Sequence, residues 1–496
     1  MAELDSVESR VLPAAPYDTL ADYVNAGGGK GLEAARAVAA DVVIEELAAS
    51  GLRGRGGAGF PTGVKWRTIK SFASSVLKTS VVVNAAEGEP GTFKDRTIIQ
   101  RNPYAVIEGA LIAARAMEAS SIVIATKAAF ADEVARLRAA IGEFGAAGWS
   151  DGIEFQVVEG PSEYLYGEET ALLEVIDGRP PFPRIAPPFR RGIDEVVESD
   201  EDVDSGSGLA ADVVMAGDDA GAVAPPVLVN NVETMANVPA IIAQGAAWFR
   251  SVGTPDSPGT IVCTVTGAVQ RPGVAEVPMG TSLGDLIDRA GGVMPGTRVK
   301  AVLVGVSSAI LTADKLDTPL TYEAMTAIGS GLGSAGYLVV AEDTAAISVA
   351  AGASRFLAVE SCGQCTPCKQ DGAEIAALLA GAARGEAQPD DLHTVRTRLD
   401  TIVTGARCSL ATQHQAVVRS LLDAFDAEIQ PRFEPGAEPV EIQLIAALEQ
   451  IDGESATFDS SFAAKQLDWT YDEVDSGKTP VERFTDHRAD DSVAAS

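Results

Sequence analysis

The chain has 496 residues, 46% of them hydrophobic and 22% charged, and this length predicts about three domains with a large buried core. The formal net charge of −32 argues against nucleic acid or an anionic membrane surface as a partner, and no apolar run approaches the ~18–20 residues of a membrane span. Because the N-terminus is acidic and lacks a secretory pattern, we expect a cytoplasmic protein without direct membrane insertion.

A glycine-rich segment follows the first predicted helix of the chain. The helix, over residues 42–50, is expected to end at Gly51, and residues 51–66 then read Gly-Leu-Arg-Gly-Arg-Gly-Gly-Ala-Gly-Phe-Pro-Thr-Gly-Val-Lys-Trp. Glycine permits positive φ and close backbone approach, so the amides of this segment can surround a phosphate. Three cations flank it: Arg53, Arg55 and Lys65. Neither the Walker loop nor the Rossmann fingerprint is present; a flexible loop also fits the spacing, and the cations favour the cradle.

Strands and helices alternate over the next hundred residues. β-branched and apolar runs predict strands, and 3.6-residue periodicity predicts helices. The expected strands cover 81–84, 121–125 and 153–158, and the expected helices cover 104–117 and 131–141. This alternation predicts an α/β layout, in which Asn84 lies at the end of a buried strand, where such folds bind ligands.

Polar segments follow the third strand. Residues 164–171 read Tyr-Leu-Tyr-Gly-Glu-Glu-Thr-Ala, and the proline-rich stretch 179–189 predicts loop or extended chain. Residues 194–224 are strongly acidic and contain no basic residue, which predicts a solvated or disordered insertion. Beyond it, residues 229–234 read Val-Asn-Asn-Val-Glu-Thr. Paired amides and paired carboxylates therefore accompany the glycine-rich segment.

Four of the five cysteines are grouped near the C-terminal end: Cys362, Cys365, Cys368 and Cys408. Thiolates are soft ligands, and four of them hold an iron–sulfur cluster. Structural zinc is the alternative, although zinc sites usually pair two Cys-x-x-Cys knuckles. The tight spacing and the lack of a secretory signal disfavour disulfides. The pattern favours a 4Fe–4S cluster, and Cys263, inside a predicted strand, is expected to be a small core residue.

The remaining polar features do not form a catalytic group. We expect solvated surface positions for three scattered histidines: His393, His414 and His487. The tail from about residue 432 is acidic, with a helical pattern over 442–451 and an aromatic pair, Trp469 and Tyr471. Such a pair fits either docking onto a partner subunit or a clamp onto the chain's own domain. No side chain is assigned as catalytic.

Together these motifs resemble one known family. The glycine-rich segment, Tyr-Gly-Glu-Glu-Thr-Ala-Leu (166–172), Val-Asn-Asn-Val-Glu-Thr (229–234) and Glu-Ser-Cys-Gly-Gln-Cys-Thr-Pro-Cys (360–368) look like the NADH-oxidising FMN/iron–sulfur flavoprotein subunit of respiratory complex I. The same family includes the diaphorase subunits of soluble NAD-dependent hydrogenases and formate dehydrogenases. The likeness runs from about residue 20 to 428, in family order.

The resemblance implies three cofactors, FMN, NAD(H) and a 4Fe–4S cluster, and it implies which residues bind them. Cys362, Cys365, Cys368 and Cys408 would be the cluster ligands. Phe60 and Phe189 would stack on the adenine or flank the dinucleotide. The full set of implied flavin and dinucleotide residues is Gly54, Arg55, Gly56, Gly57, Phe60, Lys65, Asn84, Glu87, Glu89, Tyr164, Gly167, Glu168, Glu169, Phe189, Val229, Asn230, Asn231 and Thr234.

The resemblance also implies an α/β multidomain architecture: a Rossmann-like FMN domain, a ubiquitin-like β-grasp domain and a C-terminal helical bundle with the iron–sulfur cluster. In the β-grasp region, residues 261–267 read as a strand, 272–274 as a turn and 282–290 as a helix. The implied limits are 1–245 for the FMN/NADH domain with the insertion 194–224, 246–344 for the β-grasp domain, 345–430 for the bundle and 431–496 for an acidic extension.

The implied function is electron input into a larger oxidoreductase, because FMN takes two electrons from a nicotinamide and releases them singly to a cluster. The implied partners are a small thioredoxin-like 2Fe–2S subunit and further iron–sulfur or catalytic subunits. Ala86, Thr68 and Ala186 stand where the family has an acidic, an aromatic and a basic residue. An alternative therefore stays open: an FMN/iron–sulfur electron-transfer adaptor with weak or no NADH oxidation.

Overall fold

The computed structural model describes residues 9–72, 79–150, 152–185, 226–472 and 474–484. Several predicted features lie outside these residues: Ala186, Phe189, the insertion 194–224 and His487. The described helices are α1 (Leu20–Asn25), α2 (Lys30–Ala37), α3 (Ala40–Ser50), α4 (Thr62–Ser71), α5 (Lys94–Arg101), α6 (Pro103–Met117), α7 (Ala131–Ala146), α8 (Glu169–Ile176), α9 (Val232–Gln244), α10 (Ala246–Phe249), α11 (Leu283–Arg289), α12 (Tyr322–Ala327), α13 (Ala346–Glu360), α14 (Thr366–Arg384), α15 (Asp391–Thr401), α16 (Leu410–Ala424) and α17 (Asp426–Ile429). The described strands are β1 (Ser80–Ala85), β2 (Ser121–Lys127), β3 (Glu154–Gly160), β4 (Val227–Asn231), β5 (Thr260–Gly267), β6 (Gly273–Pro278), β7 (Val299–Val304), β8 (Leu311–Thr312), β9 (Gly336–Ala341), β10 (Leu448–Ile451) and β11 (Ala456–Phe458).

A parallel sheet in the order β3-β2-β1-β4 forms the centre of the N-terminal part. Its strand β1 is buried on both faces, as a parallel sheet between helices requires. Val81 and Val83 belong to the core formed with α6 and α9, whereas Val82 packs on the side of α8. The predicted alternation of strands and helices is confirmed, and the carboxyl ends of β1 and β4 meet at one edge of the sheet.

Local signals set the element ends that border this edge. α3 ends at Gly51, whose φ of 75° lies in the left-handed region that glycine adopts without strain. α9 begins after Asn231, whose side chain accepts the N–H of Glu233 at 2.9 Å. The glycine-rich segment and the paired asparagines are therefore fixed by backbone geometry beside the same strand ends.

A second, mixed sheet follows in the order β6-β5-β9-β7-β8. Its neighbouring strands β5 and β9 are parallel, and α11 packs across one face. This is the implied β-grasp arrangement, and the predicted strand and helix in it are confirmed, as is the buried position of Cys263. The predicted turn at 272–274 is wrong in part, because Gly273 already pairs with Val265 in the ladder of β5 and β6.

The helices α13 to α16 pack around an apolar core of their own. His414 lies inside it with no exposed surface, so the expectation of a solvated histidine is wrong there, whereas His393 is exposed. The imidazole Nε2 lies 2.7 Å from the hydroxyl of Ser354. Burial lowers the pKa of His414 to about 3, which keeps the ring neutral in the core.

The chain after the bundle is extended, and the predicted helix over 442–451 is wrong. The hydroxyl of Ser348 donates to the carbonyl of Glu441 and accepts the N–H of Gln443, and the chain then forms the hairpin of β10 and β11. These contacts with α13 satisfy backbone groups that a helix would have bonded internally. Leu448 and Ile451 join the core of the parallel sheet, so the tail links the bundle to the N-terminal part.

The two aromatic residues of the tail, Trp469 and Tyr471, lie in different environments. Trp469 is 7% exposed and donates its indole N–H to the carbonyl of Val359 at 2.8 Å, so this residue clamps onto its own chain. Tyr471 is 52% exposed. None of the helices in the described ranges has the length and apolar character that crossing a membrane requires.

Candidate functional site

A cavity of about 810 Å³ lies at the edge where β1 and β4 end. Its size is in the range of ligand and cofactor sites in proteins. All but two of the residues expected at the flavin and dinucleotide line it: Gly54, Gly56, Gly57, Phe60, Lys65, Asn84, Glu87, Glu89, Tyr164, Gly167, Glu168, Glu169, Val229, Asn230, Asn231 and Thr234. Of the two others, Phe189 lies outside the described residues, and Arg55 points elsewhere.

The glycine-rich segment forms one wall of the cavity as a tight loop. The N–H of Gly54 donates to the carbonyl of Phe60 at 2.8 Å, which closes the loop on itself. A Cβ placed on Gly54 would meet only backbone atoms of Phe60, at 3.6 Å and beyond, while one on Gly56 would lie 3.3 Å from Cβ of Asn231. The loop therefore presents bare backbone to the cavity, which suits close approach of a phosphate.

The positive charge expected at this loop is only partly present. The guanidinium of Arg55 is buried and donates to the hydroxyl of Tyr322 and the carbonyl of Thr260, both at 2.9 Å. The guanidinium of Arg53 stacks over the Tyr322 ring at 4.0 Å. The expectation of arginine charge in the cavity is therefore wrong, because Tyr322 draws both side chains toward the β-grasp domain. Lys65 does line the cavity, 2.8 Å from the carboxylate of Glu169.

Asn84 and Glu168 are held in place by local hydrogen bonds. Asn84 donates to the carbonyl of Gly167 at 2.8 Å, and its side-chain oxygen accepts the N–H of Ala86 at 3.1 Å. Glu168 caps α8, since one carboxylate oxygen accepts the N–H groups of Thr170 and Ala171. Burial raises the pKa of Glu168 despite these bonds. The two side chains fix the turn Tyr164–Gly167 against the end of β1.

A buried ionic network lies behind the strand ends. Lys94 contacts Asp95 at 2.8 Å and Glu233 at 2.9 Å, and the amide of Asn231 donates to Asp95 at 2.6 Å. Burial raises the pKa of Asp95 to about 6, although Lys94 opposes the shift. Glu87 accepts the N–H of Asp95 at 3.0 Å. Asp95 lines the cavity, and the sequence pattern did not single it out as a site residue.

Tyr164 connects the three parts of the chain at the far end of the cavity. Its hydroxyl donates to Glu89 at 2.6 Å and lies 3.2 Å from the side-chain oxygen of Gln413 in α16. The other carboxylate oxygen of Glu89 accepts the N–H of Val306 in the β-grasp domain at 2.6 Å. Burial raises the pKa of Glu89, with the Tyr164 bond acting in the opposite direction. The cavity wall is thus shared by all three parts.

Residues that the sequence did not indicate complete the cavity. The β-grasp domain contributes small polar residues, and the start of α16 contributes a polar face: Ser307, Ser308, Gly333, Ser334, Ser409, Thr412 and Gln413. Ser307 and Ser308 are adjacent, as are Gly333 and Ser334, and this pairing of small residues is the one local signal for the β-grasp contribution. Ala86 and Thr68, where the family has acidic and aromatic residues, also line the cavity, and Phe60 is 53% exposed at it.

The four cysteines line a second, smaller pocket beside the cavity: Cys362, Cys365, Cys368 and Cys408. The hydroxyl of Ser361 lies 3.3 Å from Sγ of Cys368, and the amide of Gln364 lies 3.4 Å from Sγ of Cys362. In the described ranges no three His, Cys, Asp or Glu side chains are arranged to hold one metal ion. A 4Fe–4S cluster takes one thiolate at each iron, so its sulfurs surround it, and four thiols around one pocket fit this group.

Burial controls the protonation of these thiols. It raises the pKa of Cys368 to about 11 and that of Cys408 to about 12, with nearby cysteines adding to the effect. Without metal the two side chains are therefore neutral thiols at pH 7. Because the ligand form is the thiolate, loading the pocket with iron expels protons.

Comparison with known proteins identifies the family. Residues 47–240 match the model of the Nuo51 FMN-binding domain, residues 348–432 the iron–sulfur binding region of NADH-ubiquinone oxidoreductase F, and residues 262–305 the SLBB domain. The F 2 subunit of the NADH-quinone oxidoreductase of Rhizobium meliloti (strain 1021) is 35% identical over 426 residues, which cover 84% of this chain and 94% of that protein. The chain belongs to the family of NADH-quinone oxidoreductase F subunits.

Further relatives and a solved structure agree with this assignment. The F subunit of the NADH-quinone oxidoreductase of Streptomyces coelicolor (strain ATCC BAA-471 / A3(2) / M145) is 36% identical over 421 residues, covering 83% of this chain and 87% of that protein. A chain of an NAD+-reducing NiFe-hydrogenase, crystallised in the H2-reduced state, superimposes with a TM-score of 0.71 at 30% identity, covering 85% of this chain and 68% of that one. The family resemblance and the multidomain α/β fold predicted from the sequence are confirmed.

Proposed function

We propose that this protein is the electron-input subunit of a multi-subunit oxidoreductase and passes electrons between NAD(H) and a 4Fe–4S cluster through FMN. Its family, its FMN-binding domain and its iron–sulfur region support this function and these cofactors. When bound, FMN supplies two-electron exchange with a nicotinamide and one-electron exchange with the cluster. The protein is therefore an NADH dehydrogenase, or diaphorase-type, subunit.

The observation that carries the proposal is the common wall between the two pockets. Leu165, Cys408 and Leu410 line both the large cavity and the cysteine pocket. A flavin in the cavity and a cluster on the cysteines would share this wall without an intervening domain. The apolar leucines exclude water from it, and the cluster ligand Cys408 comes from the loop that starts α16.

The flavin site is assigned by what each group can do. We propose that the bare backbone of Gly54, Gly56 and Gly57 holds the phosphate, with Lys65 as the cation beside it. Asn84 and Glu87 border the ribityl chain and the ring edge, where Asn84 is held by Gly167 and Glu87 by Asp95. The remaining cavity residues close the pocket around the ring, among them Glu89, Tyr164, Glu168 and Asn230.

The dinucleotide site is assigned to the exposed side of the same cavity. Phe60 is half exposed there, so its ring is accessible to an adenine. Thr68 offers no aromatic surface, and Ala86 offers no carboxylate. We propose that NAD(H) binds at this end, with Phe60 as its aromatic contact and with Phe189 from the chain beyond Ile185 as a second one.

Partners, location and domain limits follow from the same assignment. The named relatives are subunits of multi-subunit complexes, and we propose a small thioredoxin-like 2Fe–2S subunit and further iron–sulfur or catalytic subunits as partners in the cytoplasm. We retain the domain limits 1–245, 246–344, 345–430 and 431–496. Family matches at 47–240 and 262–305 fall inside the first two, and the match at 348–432 nearly coincides with the third, which supports these limits.

One anaerobic experiment tests the function. NADH is added to purified protein while the flavin absorbance near its yellow band and the electron paramagnetic resonance signal of the cluster are followed. The proposal requires flavin bleaching and a reduced-cluster signal. A protein that holds flavin and iron, is reduced by dithionite and does not respond to NADH would be the electron-transfer adaptor instead. A protein without flavin and iron would contradict both functions.

A further inference from the structure

The C-terminal extension places a buried lysine against Glu360, which directly precedes the cysteine segment 361–368. Lys465 is 4% exposed, and its Nζ lies 2.8 Å from the carboxylate of Glu360, which is 2% exposed. The second oxygen of Glu360 accepts the N–H of Tyr164, a cavity residue, at 2.9 Å. Glu360 therefore connects Lys465 to a residue that lines the flavin cavity, and Cys362 follows Glu360 by two positions.

Two further lysines are buried around the same carboxylate. Lys127 and Lys369 are 3% and 5% exposed, and each interacts electrostatically with both Glu360 and Lys465. Lys369 donates to the carbonyl of Ser361 at 2.7 Å, and Lys127 to that of Ser162 at 3.0 Å. Within the described residues, Glu163, 3.9 Å from Lys465, is the one other carboxylate in ionic contact with this lysine, and it is partly exposed. The site therefore carries an excess of buried positive charge.

Lys465 is an addition of the extension. The matched iron–sulfur region ends at residue 432, and the tail carries the lysine back to α13 from outside it. Arg355 donates to the carbonyls of Ala463 and Lys465, and the indole of Trp469 covers the lysine at 5.6 Å from the ring centre. These contacts hold the ammonium in place, because a flexible lysine would otherwise move its charge to water.

We propose that Lys465 raises the reduction potential of the 4Fe–4S cluster. The inference rests on the proposed function, since it requires the cluster. A reduced cluster carries one more negative charge than an oxidised one, and net charge nearby is one of the factors that set cluster potentials. A buried cation acts strongly there because the low-dielectric surroundings screen it little. The extension would thereby stabilise the reduced form of the cluster.

The test is a potentiometric titration of the cluster in the full-length holoprotein, followed by electron paramagnetic resonance. Lys465→Met removes one buried positive charge and should lower the reduced-to-oxidised ratio about tenfold at fixed potential, a shift of ~59 mV to lower potential. Lys465→Arg keeps the charge and should keep the potential. Lys478→Gln removes a charge from an exposed position of the same extension and should leave the potential unchanged.

A double variant separates charge from packing. Lys465→Met with Glu360→Gln removes a cation and an anion together, so the site regains its original net charge, and the potential should return to that of the parent. Should Lys465→Met alone fail to hold the cluster, the same charge step is measured between Glu360→Gln and the double variant. An unshifted Lys465→Met protein, or a double variant displaced as far as the single one, would overturn the inference. A parent without cluster iron would instead overturn the proposed function.

Discussion

Replacing Gly54 with alanine tests the flavin cradle without disturbing the fold. A Cβ at this position meets the backbone oxygen of Phe60 at 3.6 Å and its nitrogen at 3.9 Å, which is ordinary van der Waals contact. The φ of Gly54 is not in the positive region, so alanine adopts the same backbone. Because alanine has fewer unfolded conformations than glycine, the flavin-free protein should be as stable as the parent or more stable by up to about 1 kcal/mol.

The effect on FMN should have the opposite sign. The only heavy atoms that the described residues place near the added methyl belong to Phe60, so the group occupies space at the cavity wall that the phosphate end of FMN would fill. Forcing an extra methyl into a close-packed contact costs about 1–3 kcal/mol. At 25 °C this free energy corresponds to a ~5- to 160-fold increase in the Kd for FMN.

Gly142 in α7 supplies the matched control. No atom of the described residues lies within 4 Å of a Cβ built on it, and it does not line the cavity. Gly142→Ala should therefore leave FMN affinity unchanged and stabilise the helix by roughly 0.5–1 kcal/mol. FMN is titrated onto flavin-free protein by fluorescence quenching, with thermal unfolding of each variant recorded alongside. Wild-type FMN affinity in Gly54→Ala would refute the placement of the phosphate at this loop.

Three further outcomes are expected. Cys365→Ser should strongly lower the iron content while FMN binding survives, because Cys365 lines only the cysteine pocket; an unchanged iron-to-protein ratio, or stoichiometric zinc in the parent, would contradict the cluster. Thr68→Phe should restore a stacking surface worth roughly 1–3 kcal/mol, so anaerobic stopped flow should show half-maximal flavin reduction at a lower NADH concentration. The control Thr397→Phe, at an exposed position, should not change this concentration. Equal NADH dependence of both variants would count against this placement of the dinucleotide. The pKa of buried His414 is lowered to about 3, while the unfolded imidazole titrates near ~6.5. The stability from the neutral ring is complete above pH ~6.5 and falls by up to about 1.4 kcal/mol per pH unit toward pH 3. His414→Gln should therefore lose less Tm than the parent between pH 6.5 and 4, whereas the control His393→Gln, at an exposed position, should lose as much as the parent. Parallel curves of Tm against pH for the parent and both variants would show that His414 does not titrate on unfolding.

The parts of the fold that sequence reasoning predicted are those set by neighbours in the chain. Gly51 ends α3 because the left-handed conformation is strained for other residues, and this signal is local. The β-branched run of β1 predicts a buried strand, and the parallel sheet brings the end of β1 beside that of β4. Asn84 and Asn231 both line the cavity. The predicted strand end indicated this position for Asn84, whereas the strand that ends at Asn231 was not predicted.

The direction of Arg55 was not predictable in this way. Its position in a glycine-rich segment with other cations suggested a phosphate contact, but the side chain is bound by Tyr322, 267 positions away. The hydroxyl of Tyr322 and the carbonyl of Thr260 determine on which side of the loop the guanidinium of Arg55 lies. Sequence spacing carries no information about either partner, so the charge of the cavity could not be derived from composition.

The burial of His414, unlike the direction of Arg55, could have been predicted from the sequence. It stands between Leu410, Val417 and Leu421 at spacings of four and three residues, which is the apolar stripe of α16. Reading it as a surface residue followed from its side-chain type and not from its position. The tail gave the reverse error. Its apolar residues have a helical spacing, but the chain is extended, with the backbone of Glu441 and Gln443 bonded to Ser348 and with Gln443 and Ile445 next to Gly352 of α13.

The junction at Tyr164 explains why these parts act together. Its backbone N–H donates to Glu360, two residues before Cys362, and its hydroxyl donates to Glu89, which also accepts the N–H of Val306 in the β-grasp domain. One residue thus fixes the turn Tyr164–Gly167 against the cysteine segment through partly buried hydrogen bonds, which resist rearrangement because an unmade bond would leave a partly desolvated polar group unpaired. The separation of the cavity and the cysteine pocket is therefore a property of the packed core. Lys465 forms an ion pair with the same Glu360, so the extension contributes to the electrostatics of this junction. The spacing between the cavity and the cysteine pocket is set by contacts among the three domains.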